Sequence, residues 1–389
     1  MQPLKVLYRG FDGLDVSFNA YLPPNELDEL EIARKIAEKR MGAAAIRIGP
    51  NNFDIDIAET GARGGYKYRG DTGPLGATWF FKRRLVAEPG NIRVSAKSLP
   101  LSLFSIEGVK ARFAADLKAM GAKIGGPESV GRVDYAVDFL MPREFEIRPD
   151  QFVSHSHARI KEHDIAPPPF ILDGGEIAIA WSGRRATSVT IGKMPGRQII
   201  VYDKRHEVIS RDKPWWFKTW DIDAKDKSVA IIRVEIRFGK RYLTEQAHIR
   251  TYDDVDRRIQ PELLAALDAT RYLAVPRPAG NVSRVAAHPL WEAMREQIAD
   301  AFTPLKYNKA AASEILQSER RRISERRRKF IRGALVGFLA AEGYSPEEAE
   351  LIAPELMRNI GEQAASDPEW FRRKFQSAEE RLRHMQGDG

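Results

Sequence analysis

The stretch Ile191–Lys204, IGKMPGRQIIVYDK, reads as the centre of a β-hairpin. An apolar run enters a Met-Pro-Gly turn, and Gln198–Tyr202 leaves it rich in β-branched residues. Tyr202, Asp203, Lys204 and Glu207 stand at its end. A tyrosine beside a lysine at a strand end suits attack on phosphate, with the phenol as nucleophile and the ammonium steadying the phosphate charge.

The chain has 389 residues, which suggests two or three domains. Hydrophobic residues make up 43% and charged residues 30%, enough apolar material for a sizeable core. The longest apolar patch, Gly333–Ala341, is too short to cross a bilayer, so no membrane partner is expected. The opening MQPLKVLYRGFD lacks the apolar segment of a signal peptide. With no cysteine, disulfides, thiolate metal sites and cysteine nucleophiles are excluded, and a reducing, cytoplasmic setting fits. The net charge of +8 and pI near 9.4 favour a polyanionic partner such as nucleic acid.

Outward from the hairpin, period-2 alternation predicts strands at Leu4–Phe18, Ala43–Ile48, Phe53–Ile57, Arg132–Phe139, Glu176–Trp181, Ser188–Ile191 and Val229–Phe238. Ala77–Phe81 and Asn91–Lys97 read as the arms of another hairpin. Helical spacing marks Glu26–Arg40, Ile106–Met120 and Pro261–Leu273. Asp150–His163 fits a helix or an irregular basic segment. After Pro276–Gly280 the composition turns rich in Ala, Glu and Arg with almost no strand signal. The expected fold is α+β, an antiparallel central sheet with flanking helices, followed by an all-helical domain. The boundaries expected are an N-terminal α+β lobe over 1–125, a second over 126–279 and a basic helical domain over 280–389. Asp12–Phe18 resembles Asp134–Phe139, and each precedes a hairpin with a Pro-Gly turn, ending Val94–Lys97 and Val201–Lys204. That pattern permits an internal duplication with Ser95 in the place of Tyr202 and a catalytically degenerate first copy.

Two strands carry charge on one face. Arg132, Asp134, Ala136 and Asp138 share a face of the first. Asp134 and Asp138 would sit roughly 13 Å apart at a rise of about 3.3 Å per residue, too far to grip one ion, though either suits a hard cation with help from a neighbouring strand. A solvated face with Arg132 pairing Asp134 explains the segment equally well. In the second, Arg233, Glu235 and Arg237 share a face opposite Ile232, Val234, Ile236 and Phe238. A carboxylate between two guanidiniums suits a metal ligand beside phosphate-binding cations, or a cross-strand ion-pair ladder.

Taken in order, Arg132-Val-Asp134 with Asp138-Phe139, Ile191-Gly192, Tyr202-Asp-Lys204 with Glu207, and Arg233-Val-Glu235-Ile-Arg237 resemble the trans-Rep type replication initiators of rolling-circle plasmids and filamentous phages, and the conjugative relaxases related to them. The resemblance covers roughly residues 4–275. It implies an enzyme, a nickase that cuts one DNA strand at an origin, forms a 5′-phosphotyrosyl bond and leaves a 3′-OH to prime synthesis. It implies Tyr202 as nucleophile, Lys204 and Arg233 holding phosphate oxygens, Arg237 on DNA, and Mg²⁺ or Mn²⁺ held by Asp134 and Glu235 with Asp138. The implied fold is related to nucleases with a His-hydrophobic-His metal motif. The implied partners are double- and single-stranded origin DNA, with a host helicase and a second copy of the chain beside it. The alternatives are a conjugative relaxase and a non-catalytic DNA-binding repressor or partition protein.

Three stretches stand beside that pattern. His155 and His157, with His163 further on, would share a face on a strand and suit a metal, but the residue between them is serine. Lys213–Trp220 interleaves Trp215, Trp216 and Trp220 with two lysines, which suits stacking on unpaired bases or a hydrophobic plug. Arg320, Arg321, Arg322, Arg326, Arg327, Arg328 and Lys329 make seven of ten residues basic, which fits contact with the phosphate backbone or a solvated arm. Phe330–Leu339 and Ala349–Ile360 then read as a helical pair able to bind a partner or a second copy.

Overall fold

The computed structural model describes residues 4–154, 177–278, 282–300, 312–382 and 384. His155, His157, His163 and Pro167–Pro169 lie outside the described residues.

The first half of the chain runs β1 (Val6–Tyr21), α1 (Pro24–Arg40), β2 (Ala44–Ile48), β3 (Phe53–Ile57), β4 (Tyr68–Asp71), β5 (Thr78–Phe81), β6 (Glu88–Ala96), α2 (Ser98–Ala119) and β7 (Lys123–Ile124). The second runs β8 (Ser129–Pro142), β9 (Phe152–Ser154), β10 (Ile177–Ser182), β11 (Arg185–Gly192), β12 (Arg197–Asp203), α3 (Lys204–Ser210), α4 (Trp215–Trp220), β13 (Val229–Gly239), α5 (Lys240–Glu245), α6 (Tyr252–Ala269) and β14 (Thr270–Tyr272). Beyond it come α7 (Pro289–Ala299), α8 (Ala312–Ala341), α9 (Pro346–Ser366) and α10 (Pro368–Leu382). Among the described residues no helix is long and apolar enough to cross a membrane.

Local chemistry sets these bounds. The predicted hairpin is β11 and β12, paired from Ser188–Tyr202 to Gly192–Gln198. Gly192 closes it at φ +87°, and a Cβ there would meet the Arg197 carbonyl oxygen at 2.2 Å. The helix expected from Pro261 starts earlier, at Tyr252, because Thr251 and Asp254 form a capping box. It stops at Ala269, since Thr270–Tyr272 pair with β9 instead.

The main sheet has 12 strands in the order β10-β11-β12-β13-β8-β1-β6-β5-β4-β3-β2, with β7 against β1. Every pairing in it is antiparallel. β1 and β8 lie side by side at its middle, so 1–125 and 126–279 contribute to one sheet rather than to separate lobes. Ser95 and Tyr202 do not take matching places in it. β6 adjoins β1 directly, whereas β13 stands between β12 and β8.

One face of the sheet is apolar throughout. Val133, Tyr135, Val137 and Phe139 stand beside Phe238, Ile236, Val234 and Ile232, and all are buried in one core with residues of α1, α2, α6 and α7. α7 reaches this core through Leu290, Trp291, Met294 and Ile298 although it lies beyond residue 280. Burying such residues contributes about 1.5–3 kcal/mol each, so α7 belongs with the sheet and the separate helices begin at α8.

Candidate active site

The opposite face of the sheet is polar at its centre. Antiparallel register sets side chains in rows across the strands. Tyr8, Asp138, Arg233, Tyr202 and Ser188 form one row. Gly10, Ala136, Glu235, Ile200 and Thr190 form the next, and Gly13, Asp134, Arg237 and Gln198 the third. Strands far apart in sequence thus bring Tyr202, Glu235, Arg237 and Asp134 together. Gly13 leaves room for this carboxylate, because a Cβ there would lie 2.4 Å from Asp134 Oδ2 and push it aside.

The Tyr202 hydroxyl donates to Glu235 Oε2 at 3.0 Å and accepts from Lys204 Nζ at 3.4 Å. Lys204 follows because Asp203 caps α3, accepting from the His206 N–H, which turns the chain at the strand end. Lys204 Nζ also donates to Glu207 at 2.8 Å, as does Lys213. Burial, then the Glu235 charge, lifts the Tyr202 phenol well above the ordinary tyrosine range, against the pull of Arg233. Burial, then Arg233, brings the Lys204 ammonium down.

The remaining acids are paired. Arg233 donates to both Asp138 oxygens, at 2.5 and 2.8 Å, and to Asp12 at 2.6 Å. Arg132 holds Asp134 through two bonds of 2.8 and 2.6 Å, and Arg237 holds Glu235 at 2.6 Å. Burial lifts the Asp134 carboxyl to about 6, against Arg132 and with help from the Glu235 charge. α4 roofs the first row. The Trp216 ring lies over the Arg233 guanidinium at 4.4 Å and the Lys204 ammonium at 4.9 Å, and Trp220 Nε1 donates to Asp138 Oδ2 at 2.8 Å. The third row stays open, with the Arg237 side chain 29% exposed and that of Arg132, one row beyond it, 34% exposed.

Several expected roles change on this geometry. Arg233 is wholly buried and committed to two carboxylates, so it does not present a guanidinium to phosphate. Asp138 is wholly buried with both oxygens taken by Arg233 and Trp220, so it is not a cation ligand. Trp215 and Trp216 form a buried plug with Trp220, Val208 and Ile231, leaving no ring face for a base. Arg132 pairs with Asp134 as the alternation suggested. Sequence reasoning gave no role to Asp12, the second acceptor of Arg233. The available signal was an Asp-Gly pair inside an alternating strand, where the β1–β8 register shifts between Phe11 and Gly13.

The residues present do not fit a divalent cation as they stand. Asp134 and Glu235 are near one another, but each is held by an arginine, and no group of three or more His, Cys, Asp or Glu among the described residues is placed to hold a metal. Five acids (Asp12, Asp134, Asp138, Glu207, Glu235) meet six cations (Arg132, Arg211, Arg233, Arg237, Lys204, Lys213). A cation would have to displace arginines that already neutralise its ligands. Calorimetric titration of the DNA-free protein with Mn²⁺ is therefore expected to show no site tighter than on the order of 1 mM. A micromolar site lost in Glu235→Gln would refute this.

No family model matches the chain, and no curated protein matches it. Among solved structures it is similar to a rolling circle replication initiator protein from Geobacillus stearothermophilus. The identity is 13% and the TM-score 0.37, over 75% of this chain and 96% of that one. The likeness is remote.

Proposed function

We propose that this chain nicks one strand of DNA at a replication origin through Tyr202. The observation that carries the reading is the Tyr202 hydroxyl, held between the Glu235 carboxylate and the Lys204 ammonium on a polar sheet face. A phenol raised well above its ordinary range is not ionised at neutral pH, so it needs a base in contact. Glu235 takes the hydroxyl proton as the Tyr202 oxygen attacks phosphorus. The bond from phosphorus to the 3′ oxygen breaks, the 5′ phosphate stays on Tyr202, and the 3′ oxygen takes up a proton from solvent. Lys204 lies beside the attacking oxygen and offsets its developing charge. Arg132 and Arg237, beside the Asp134 and Glu235 carboxylates and partly open to solvent, meet the flanking phosphates. The basic run of α8, from Arg320 to Lys329, adds sequence-independent grip on the backbone.

The test is incubation with supercoiled plasmid carrying the cognate origin in Mg²⁺ buffer. The expected product is a nicked circle with protein covalently linked to its 5′ end. Nicks without linked protein would exclude the tyrosine mechanism. A second reading, DNA binding without cleavage, is favoured by one observation, that every acid at the site already has a cationic partner. It predicts a retarded but intact plasmid.

A further inference from the structure

We infer that the cavity between α8 and α10 is a nucleotide site. Arg320, Arg327 and Arg328 line it with Ser324, Ile323 and Ile331, at three- and four-residue spacings that place them all on one face of α8. α9 packs against α8 and α10 against α9, which returns the end of α10 to that face, where Glu379 and Leu382 form the facing wall. The space between them is about 490 Å³, within the roughly 300–1,000 Å³ of small-ligand sites.

Charge and apolar surface together identify the ligand. The basic run divides by face. Arg322 and Arg326 point the other way and reach Asp212 beside α4, at 3.5 and 3.2 Å. Leu316 and Glu319 are buried at the same end, so α8 is fixed there. Arg320, Arg327 and Arg328 make no ion pair among the described residues, and Glu379 is the single acid lining the cavity. Three arginines and one glutamate leave a net charge of +2. That balances one phosphate monoester, about −2, or two successive phosphodiesters. The guanidiniums can take phosphate oxygens in pairs, and the Ser324 hydroxyl can donate to another. An inorganic anion makes no use of Ile323, Ile331 and Leu382, whereas the flat base of a nucleotide buries against them. Glu379 then accepts from a sugar hydroxyl or a base amino group. A free nucleotide and a nucleotide within a single DNA strand offer this same chemistry. None of it rests on the chemistry of Tyr202.

The experiment is calorimetric titration of the full chain at low salt. The probes are deoxyadenosine 5′-monophosphate, deoxyadenosine, inorganic phosphate and a single-stranded tetramer of deoxyadenylate. The monophosphate is expected to bind one to one, at least tenfold tighter than deoxyadenosine or inorganic phosphate. Arg327→Gln with Arg328→Gln, which puts good helix formers in place, is expected to weaken it at least tenfold. Ile331→Asp, at an exposed position, should weaken it by a similar factor with unchanged helicity by circular dichroism. Arg321→Gln with Lys329→Gln removes the same charge from outside the cavity and should leave binding within twofold of wild type. A tetramer bound at least tenfold tighter than the monophosphate, and lost in Arg327→Gln with Arg328→Gln, assigns the site to a strand. A smaller gain assigns it to the free nucleotide. No saturable binding of either, inorganic phosphate binding as tightly as the monophosphate (an adventitious ion only), or equal losses in the two double variants would overturn the inference.

Discussion

Tyr202→Phe is expected to abolish the covalent protein–DNA product and lower nicking by at least about 10³-fold, because the phenyl ring carries no oxygen to attack phosphorus beside Glu235 and Lys204. The change removes one oxygen. It costs the hydrogen bond to Glu235, about 1 kcal/mol, while Arg237 continues to hold that carboxylate. Melting temperature and affinity for origin DNA should therefore stay close to wild type. Glu235→Gln separates the base from the nucleophile. Glutamine still accepts the hydroxyl hydrogen bond but does not take the proton, so nicking should fall roughly 10²–10⁴-fold with the tyrosine in place. A Tyr202→Phe protein that nicks at the wild-type rate and carries the DNA end on another residue would remove Tyr202 from the mechanism.

Much of the fold was legible because alternation fixes which face of a strand a residue takes. Val133, Tyr135, Val137 and Phe139 went to the core, and Arg132, Asp134 and Asp138 to the other face, as spacing alone required. The hairpin at Met194–Gly196 was legible from turn chemistry. What alternation does not encode is which strand lies beside which. The β1–β8 pairing joins segments more than 100 residues apart, and it supplies Asp12 and Tyr8 to the site. Without that neighbour Arg233 looks like a free cation on a strand. The tryptophan segment failed for a related reason. Aromatics among lysines have the same composition whether they stack on bases or cover an ion pair, and only the rings of α4 lying over Arg233 and Lys204 distinguish the two.

That same neighbour leads to the second large effect, on stability. Replacing Arg233 with methionine is expected to destabilise the protein by about 3–5 kcal/mol, because it strands Asp138 and Asp12 away from water without their counter-ion. The loss should depend on pH. In the wild type, burial works to raise the Asp12 carboxyl, but Arg233 and Lys204 outweigh it and hold it below its ordinary value. Its contribution is therefore present above the unfolded carboxylate pKa of about 4 and is lost as pH falls through the lower folded value. In Arg233→Met the main opposing charge is gone and burial dominates, so the folded state favours the protonated form of Asp12. The gap between wild type and variant should be largest near pH 8 and shrink toward pH 4. Adding Asp138→Leu to Arg233→Met should recover part of the loss at pH 8, since one uncompensated charge is removed, at the cost of the Trp220 hydrogen bond. Urea unfolding of the three proteins at both pH values measures this. Were Arg233 a phosphate holder instead, Arg233→Met would unfold like wild type at either pH and lose affinity for DNA, and the ion pair at the centre of the sheet would have to be given up.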